Sequence, residues 1–291
     1  MENGDLGKGT YRRRHLFDRI MTGFIFLAVF VAVLPLVLIV ADVVIQGGAE
    51  LSLDFFTKLP TPVGIAGGGI ANAIQGSAIL VGLASLIAVP IGVGAGIYFS
   101  EWPESRLSAI SSFMNDVLAE FPSITIGIFV YIIIVLPTRT FSAVAGAAAL
   151  SIIMIPIVAR TTEESLKIVP VSLREASLAL GIPRWKTVLR IVISTGRSGL
   201  VTGVLLAIAR ATGETAPLLF TAFGSGYFFN SLWSPIAALP LTIYTYGTSP
   251  YSDWIAKAWG AALVLVGFML ILNLGVKLLI GRRYAGVRAE I

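Results

Sequence analysis

No cysteine occurs among the 291 residues, which excludes a disulfide framework and any thiolate chemistry. Histidine occurs once, as His15 in a basic stretch, so no histidine metal cluster and no H-E-x-x-H protease site can be assembled. No G-x-x-x-x-G-K-[ST] run is present to cradle ATP, and no G-x-S-x-G elbow is present to raise a nucleophilic serine. Charge is also scarce: 13% of residues are charged, against about 25% in a typical soluble domain. Apolar residues fill the space, at 56% of the chain. The expected class is an all-α membrane protein that is not an enzyme. The net charge of +5 hints at nucleic acid only until the basic residues are located. They lie between hydrophobic runs, so membrane lipid is the expected neighbour and nucleic acid is not.

A run of about 20 apolar residues crosses a hydrocarbon core of about 30 Å. Six such runs are expected, near 19–45, 70–98, 113–136, 141–161, 198–221 and 258–280. The first follows the basic stretch "YRRRHLFDRI" and is too long for a signal-peptide core, so it reads as an uncleaved span. Only "LPTRT" separates the third and fourth runs, which implies an antiparallel hairpin.

The basic residues set the expected orientation, because short cytoplasmic connections collect Lys and Arg. One side holds Lys8, Arg12, Arg13, Arg14 and Arg19, the six basic residues of segment 162–197, and Lys277, Arg282, Arg283 and Arg288. The other offers only Lys58, Arg139 and Lys257. Both termini and segment 162–197 are therefore expected in the cytoplasm. External segment 46–69 is Gly/Pro-rich, whereas 222–257 is apolar and aromatic and suits either a short helix packed on the bundle or an interfacial anchor. The chain divides into a first span with its tail and external segment (1–69), a core (70–280) and a basic tail (281–291).

Segment 170–195 carries dense helix punctuation. Ser172 and Glu175 fit a capping box, Leu173, Ala176 and Leu180 form an apolar stripe, and Gly181 fits a left-handed stop. Pro183 suits the first turn of a second helix, whose apolar face would be Trp185, Val188, Leu189 and Val192. Two short amphipathic helices are expected. From the residues alone, lying in the lipid headgroups and docking on a cytoplasmic partner are equally good readings.

The stretch "EASLALG" (175–181), with Ile191 ten residues beyond its glycine, resembles the EAA loop of the permeases of ABC importers. Glu175, Ala176, Gly181 and Ile191 match that pattern. Ser177 stands for its second alanine, and Ile193-Ser194 for its Leu-Pro. The runs "NDVLAEFPSITIG" (115–127), "ARATGETAPLLFTA" (209–222) and "ALPLTIY" (238–244) are similar to the phosphate-importing branch of that family, and the likeness covers about 70–280. This resemblance implies a six-helix type I importer permease (MetI-like) bundle in a bacterial inner membrane. It implies a homologous second permease, two ATP-binding subunits and an external phosphate-binding protein as partners. ATP and Mg would be held by the ATPase partner, with no cofactor in this chain, and Glu175, Ala176 and Gly181 would lie in the loop that docks on it.

Arg210 and Glu214 stand four residues apart in an otherwise oily run, on one face of a helix. From a span starting near 198, a rise of about 1.5 Å per residue sets them about 18–24 Å from the cytoplasmic end. An arginine at that depth needs a partner and an interior or aqueous face. A structural ion pair explains the residues at some cost, since burying two charges returns little net stability. An anion path explains them too, because a guanidinium fork suits phosphate oxygens. Gly213 and Pro217 flank the pair and can break a span, whereas "GVGAG" (92–96) and "GLVTG" (199–203) suit close helix contact. Asp116 and Glu120 fit a wet helix end, and Asp42 an interface. A permease for another oxyanion or solute stays open, as does a secondary transporter using the same pair for ion coupling.

Overall fold

The computed structural model describes residues 5–65 and 67–287, with side chains described for 13–65 and 67–275. Of the basic residues used to orient the chain, Arg288 lies outside this range, and Lys8, Arg12, Lys277, Arg282 and Arg283 lie outside the described side chains. Every regular element among the described residues is a helix. Among the described residues five helices are long and apolar enough to cross a membrane, and counting a bent pair as one span gives six.

Helix α1 (Asp5–Gly48) is apolar around its circumference, and its most apolar window has no buried residue. It touches the rest of the chain near its end, where a Cβ on Gly47 would lie 2.5 Å from the carbonyl of Trp259. A short α2 (Leu53–Thr57), capped by Ser52, leads through a glycine-rich loop to α3 (Ala71–Glu101). Buried Lys257 donates to the Gly67 carbonyl at 2.6 Å and so fixes that loop from the last helix.

The third apolar run does not cross straight. Residues 106–138 form α4 (Arg106–Glu120) and α5 (Ser123–Val130), bent by 103°. The cause is local: Pro122 disfavours helical backbone at Phe121, which is extended (ψ 133°). After one π turn at Tyr131–Val135, the short α6 (Leu136–Thr138) ends at Arg139, which has a left-handed φ of 55°. Ser142 then caps α7 (Ala143–Lys167) by accepting from the Ala145 amide at 3.1 Å.

Helix α7 is the axis of the fold, with 67% of its most apolar window buried. Small residues allow this. On α3, a Cβ at Gly92 would meet the Val158 side chain at 2.7 Å, and one at Gly96 would meet the Ala159 carbonyl at 2.4 Å. On a neighbouring face, Gly196, Gly199 and Gly203 set the backbone of the fifth span against Leu166, Ser165 and Thr161. Both glycine-rich runs therefore serve close helix contact, as their spacing predicts. Leu80, Leu150, Met154, Val158, Ala207 and Leu218 meet in the main core.

Segment 162–197 is mostly not a loop. Residues 162–167 finish α7, and α8 (Val171–Ala179) is followed by α9 (Arg184–Thr187), a π turn at Val188–Val192 and α10 (Ile193–Thr212). From Arg184 to Thr212 the chain is one 29-residue helix. The expected second short helix is the N-terminal start of the fifth span, because no proline follows Ile193 to end it. That span stops at Gly213, well short of 221, and a separate α11 (Ala216–Thr221) follows. Helix α12 (Leu239–Gly247) is the short helix expected within 222–257, packed on α3 and on α13 (Ser252–Val287). Residues 281–287, expected as tail, continue α13.

Candidate functional site

Arg210 lies in the last turn of α10 and Glu214 in the break that follows. The guanidinium Nε stands 3.6 Å from the Glu214 carboxylate. The arginine side chain is 60% exposed and the glutamate 15%. The pair therefore does not sit inside this chain's own bundle: the carboxylate is tucked in and the cation projects. Counting from Arg197, the last basic residue before it, helix rise places Arg210 about 20 Å along the axis, close to the expected depth. A charge at that depth presented outward needs a companion surface or water.

The break has identifiable causes. Gly213 packs against α13, where an added Cβ would lie 2.9 Å from the Met269 methyl, and Pro217 lies within the first turn of α11. Helix α11 packs in turn on α5, since a Cβ on Gly127 would stand 2.6 Å from the Pro217 Cα. The two interrupted spans thus meet each other beside Arg210 and Glu214, an arrangement tolerated in a membrane where irregular backbone lines a cavity or is covered by protein.

On the other side of the molecule, α8 starts one residue before Ser172, with Pro170 at its N-cap, so the expected capping box does not form. Proline ahead of the first turn supplies the boundary in its place. Pro183 likewise takes the N-cap of α9 rather than its first turn. Gly181 is left-handed (φ +76°), with its amide bonded to the Leu178 carbonyl and that of Ile182 to Ser177, the paired closure of a Schellman turn. The turn leaves Val171, Leu173, Leu178, Leu180, Trp185 and Leu189 exposed together. Of the expected stripes, only Val188 and Val192 face inward. Glu175 and Ala176 are exposed, and the Glu175 side chain makes no hydrogen bond or ion pair with described residues.

Sequence reasoning overlooked two ionic groups. Asp116, read as a wet helix end, accepts from Arg160 at 3.1 Å, and Arg160 also donates to Glu163 at 2.8 Å. Lys167 completes the set at 2.6 Å from Glu163, which is 5% exposed. The i, i+3 and i, i+4 spacing of Arg160, Glu163 and Lys167 was a signal for it. The second pairs the Glu101 carboxylate with Arg174, while Arg184 donates to the Glu101 backbone carbonyl; these residues are far apart in sequence, with no local signal.

Residues 88–283 match the family of binding-protein-dependent transport system inner membrane components. The chain belongs to that family. It is 47% identical to the phosphate transport system permease protein PstA of Xylella fastidiosa strain 9a5c, over 81% of this chain and 83% of that one. Identity to the PstA of Haemophilus influenzae is 43%, covering 92% and 94% of the two chains. For PstA 1 of Mycobacterium tuberculosis H37Rv it is 38%, over 90% and 87%. The structure is similar to a chain of the inward-facing MetNI methionine ABC transporter, with a TM-score of 0.61 at 17% identity over 73% of this chain and 96% of that one. The fold is accordingly the importer-permease bundle, and this family member is a membrane transport component rather than an enzyme.

Proposed function

We propose that the chain is the transmembrane permease subunit of an ATP-driven phosphate importer, forming half of the translocation path. The other half is a homologous second permease (PstC-like). Two ATP-binding subunits (PstB-like) hold ATP and Mg, and an external phosphate-binding protein (PstS-like) delivers the substrate. The site is a bacterial inner membrane with both termini in the cytoplasm. Supporting this are the phosphate-transport relatives at 38–47% identity and the exposed apolar rim around Gly181, which suits a groove on a cytoplasmic subunit.

The observation that carries the reading is the projecting Arg210 guanidinium beside a broken span, tethered by Glu214. A fork of donors held outward at mid-membrane depth can take two phosphate oxygens at once. Glu214 orients it and moderates its charge, so that the anion can leave. The test is phosphate uptake and phosphate-stimulated ATP hydrolysis by the reconstituted assembly, wild type against Arg210→Gln. Loss of uptake with hydrolysis retained supports the path. Full uptake in the variant makes the pair structural, and a wild type with no ATP-dependent uptake sinks the importer reading itself.

A further inference from the structure

Glu101 is the last residue of α3, and its side chain is 4% exposed. A carboxylate at that place is opposed twice, by the negative end of the helix dipole and by the loss of water. Its Oε1 accepts from Arg174 of α8 through both Nε, at 3.1 Å, and Nη2, at 3.0 Å. The same guanidinium donates to the carbonyls of Val169 at 2.6 Å and Leu166 at 2.9 Å, at the end of α7. Arg184 of α9 donates to the Glu101 carbonyl and lies over the Trp102 ring, 4.8 Å from its centroid. Glu101 and Arg174 thereby tie the end of α3 to α8 through the carboxylate, the end of α7 to α8 through the guanidinium, and α9 to α3 through the Glu101 carbonyl.

Helix α8 has little else to hold it. Of its residues only Ser177 is buried, bonded to Thr187 of α9 at 2.8 Å, while its apolar side chains stay exposed on the docking rim. Hydrophobic packing therefore cannot carry a displacement of α8 into the bundle. The polar joint can, because two guanidinium N–H groups converging on one carboxylate oxygen, with two further bonds to carbonyls, fix direction as well as distance.

We propose that Glu101 and Arg174 are positioning residues that transmit movement of α8 to α3 and α7, so that these ends travel as one body during the transport cycle. This rests on the reading of the chain as an ATP-driven permease. The measurement is phosphate moved per ATP hydrolysed, in the complete reconstituted assembly, for wild type, Glu101→Gln, Arg174→Lys and the exposed control Glu104→Gln. Expected is a fall of about tenfold in that ratio for the first two variants, with assembly and hydrolysis retained, a size ordinary for coupling between sites. Glu104→Gln keeps the wild-type ratio. Wild-type ratios in both joint variants overturn the inference while leaving the importer intact, whereas a wild type without phosphate-stimulated hydrolysis removes the underlying reading.

A second measurement is independent of how the joint variants fold. The chain has no cysteine of its own, so Ala179→Cys on α8 and Ile91→Cys on α3 give a unique labelling pair within it. Their spin-label separation in the complete assembly is expected to hold through ATP binding and hydrolysis. A nucleotide-dependent shift of several ångströms between them overturns the one-body proposal.

Discussion

Arg210 and Glu214 stand 3.6 Å apart, yet the arginine is 60% exposed and the glutamate 15%. That asymmetry distinguishes a tether from a mutual neutralisation. A pair serving only stability gains by burying both members with all their hydrogen bonds satisfied. Here most of the cation's donors have no partner among the described residues, and it stands in the last turn of its helix. Arg210→Gln is expected to lower phosphate uptake about 10–100-fold, the loss of one charged hydrogen-bonding contact, with little effect on assembly or thermal stability. Uptake of radiolabelled phosphate into proteoliposomes checks it, and Arg210→Lys should recover only part, since an ammonium lacks the fork.

The proposed path gives Glu214 a testable part in selectivity. Its carboxylate can accept a hydrogen bond from a phosphate oxygen that carries a proton, which sulfate lacks at neutral pH. Glu214→Gln should narrow the preference for phosphate over sulfate by about tenfold, the worth of one such bond. Competition of the two anions for uptake measures this. An unchanged preference with an unchanged rate takes the glutamate out of the path.

The apolar rim around the Gly181 turn predicts a third outcome. Leu180 is 80% exposed and Leu173 41%, on elements that make few contacts of their own. Leu180→Glu sets a charge where a cytoplasmic subunit's groove would exclude water. Co-purification of the ATP-binding subunit should fall at least about tenfold, because an unpaired charge buried in an interface is costly. Glu175→Ala should weaken the same association less. Retained binding in both would move the dock elsewhere.

What was legible in the sequence depended on whether its cause was local. Apolar runs gave the spans because length and hydropathy decide them within one segment. Gly181 gave its turn because the left-handed backbone is cheap only there. The 103° bend was written at Phe121-Pro122 but was masked by the apolar run on each side. The continuation of α9 into α10 was obscured by the basic residues on its first turns, which read as loop. The Glu101–Arg174 joint could not be read at all, since 73 residues separate its members and only the packing of α3 along α7 brings them together. Similarly, the spacing of Arg210 and Glu214 showed that they could meet, but their unequal exposure is set by the break at Gly213 and its neighbours.

Two glycines of α3 supply a paired test of the fold. At Gly96 an added Cβ would lie 2.4 Å from the Ala159 carbonyl and 2.6 Å from the Thr162 Cβ, whereas at Gly94 nothing lies within 4 Å. Both are helical, so both gain equally in propensity from alanine, by roughly 0.5–1 kcal/mol. At Gly96 the backbone of α7 must retreat, and overpacking of this kind costs about 1–3 kcal/mol. Thermal unfolding in detergent should therefore show Gly96→Ala lowered and Gly94→Ala unchanged or raised. Equal midpoints would mean that α3 and α7 are not pressed together along this seam. The axis of the bundle, and with it the direction in which Glu101 faces α8, would then need to be redrawn.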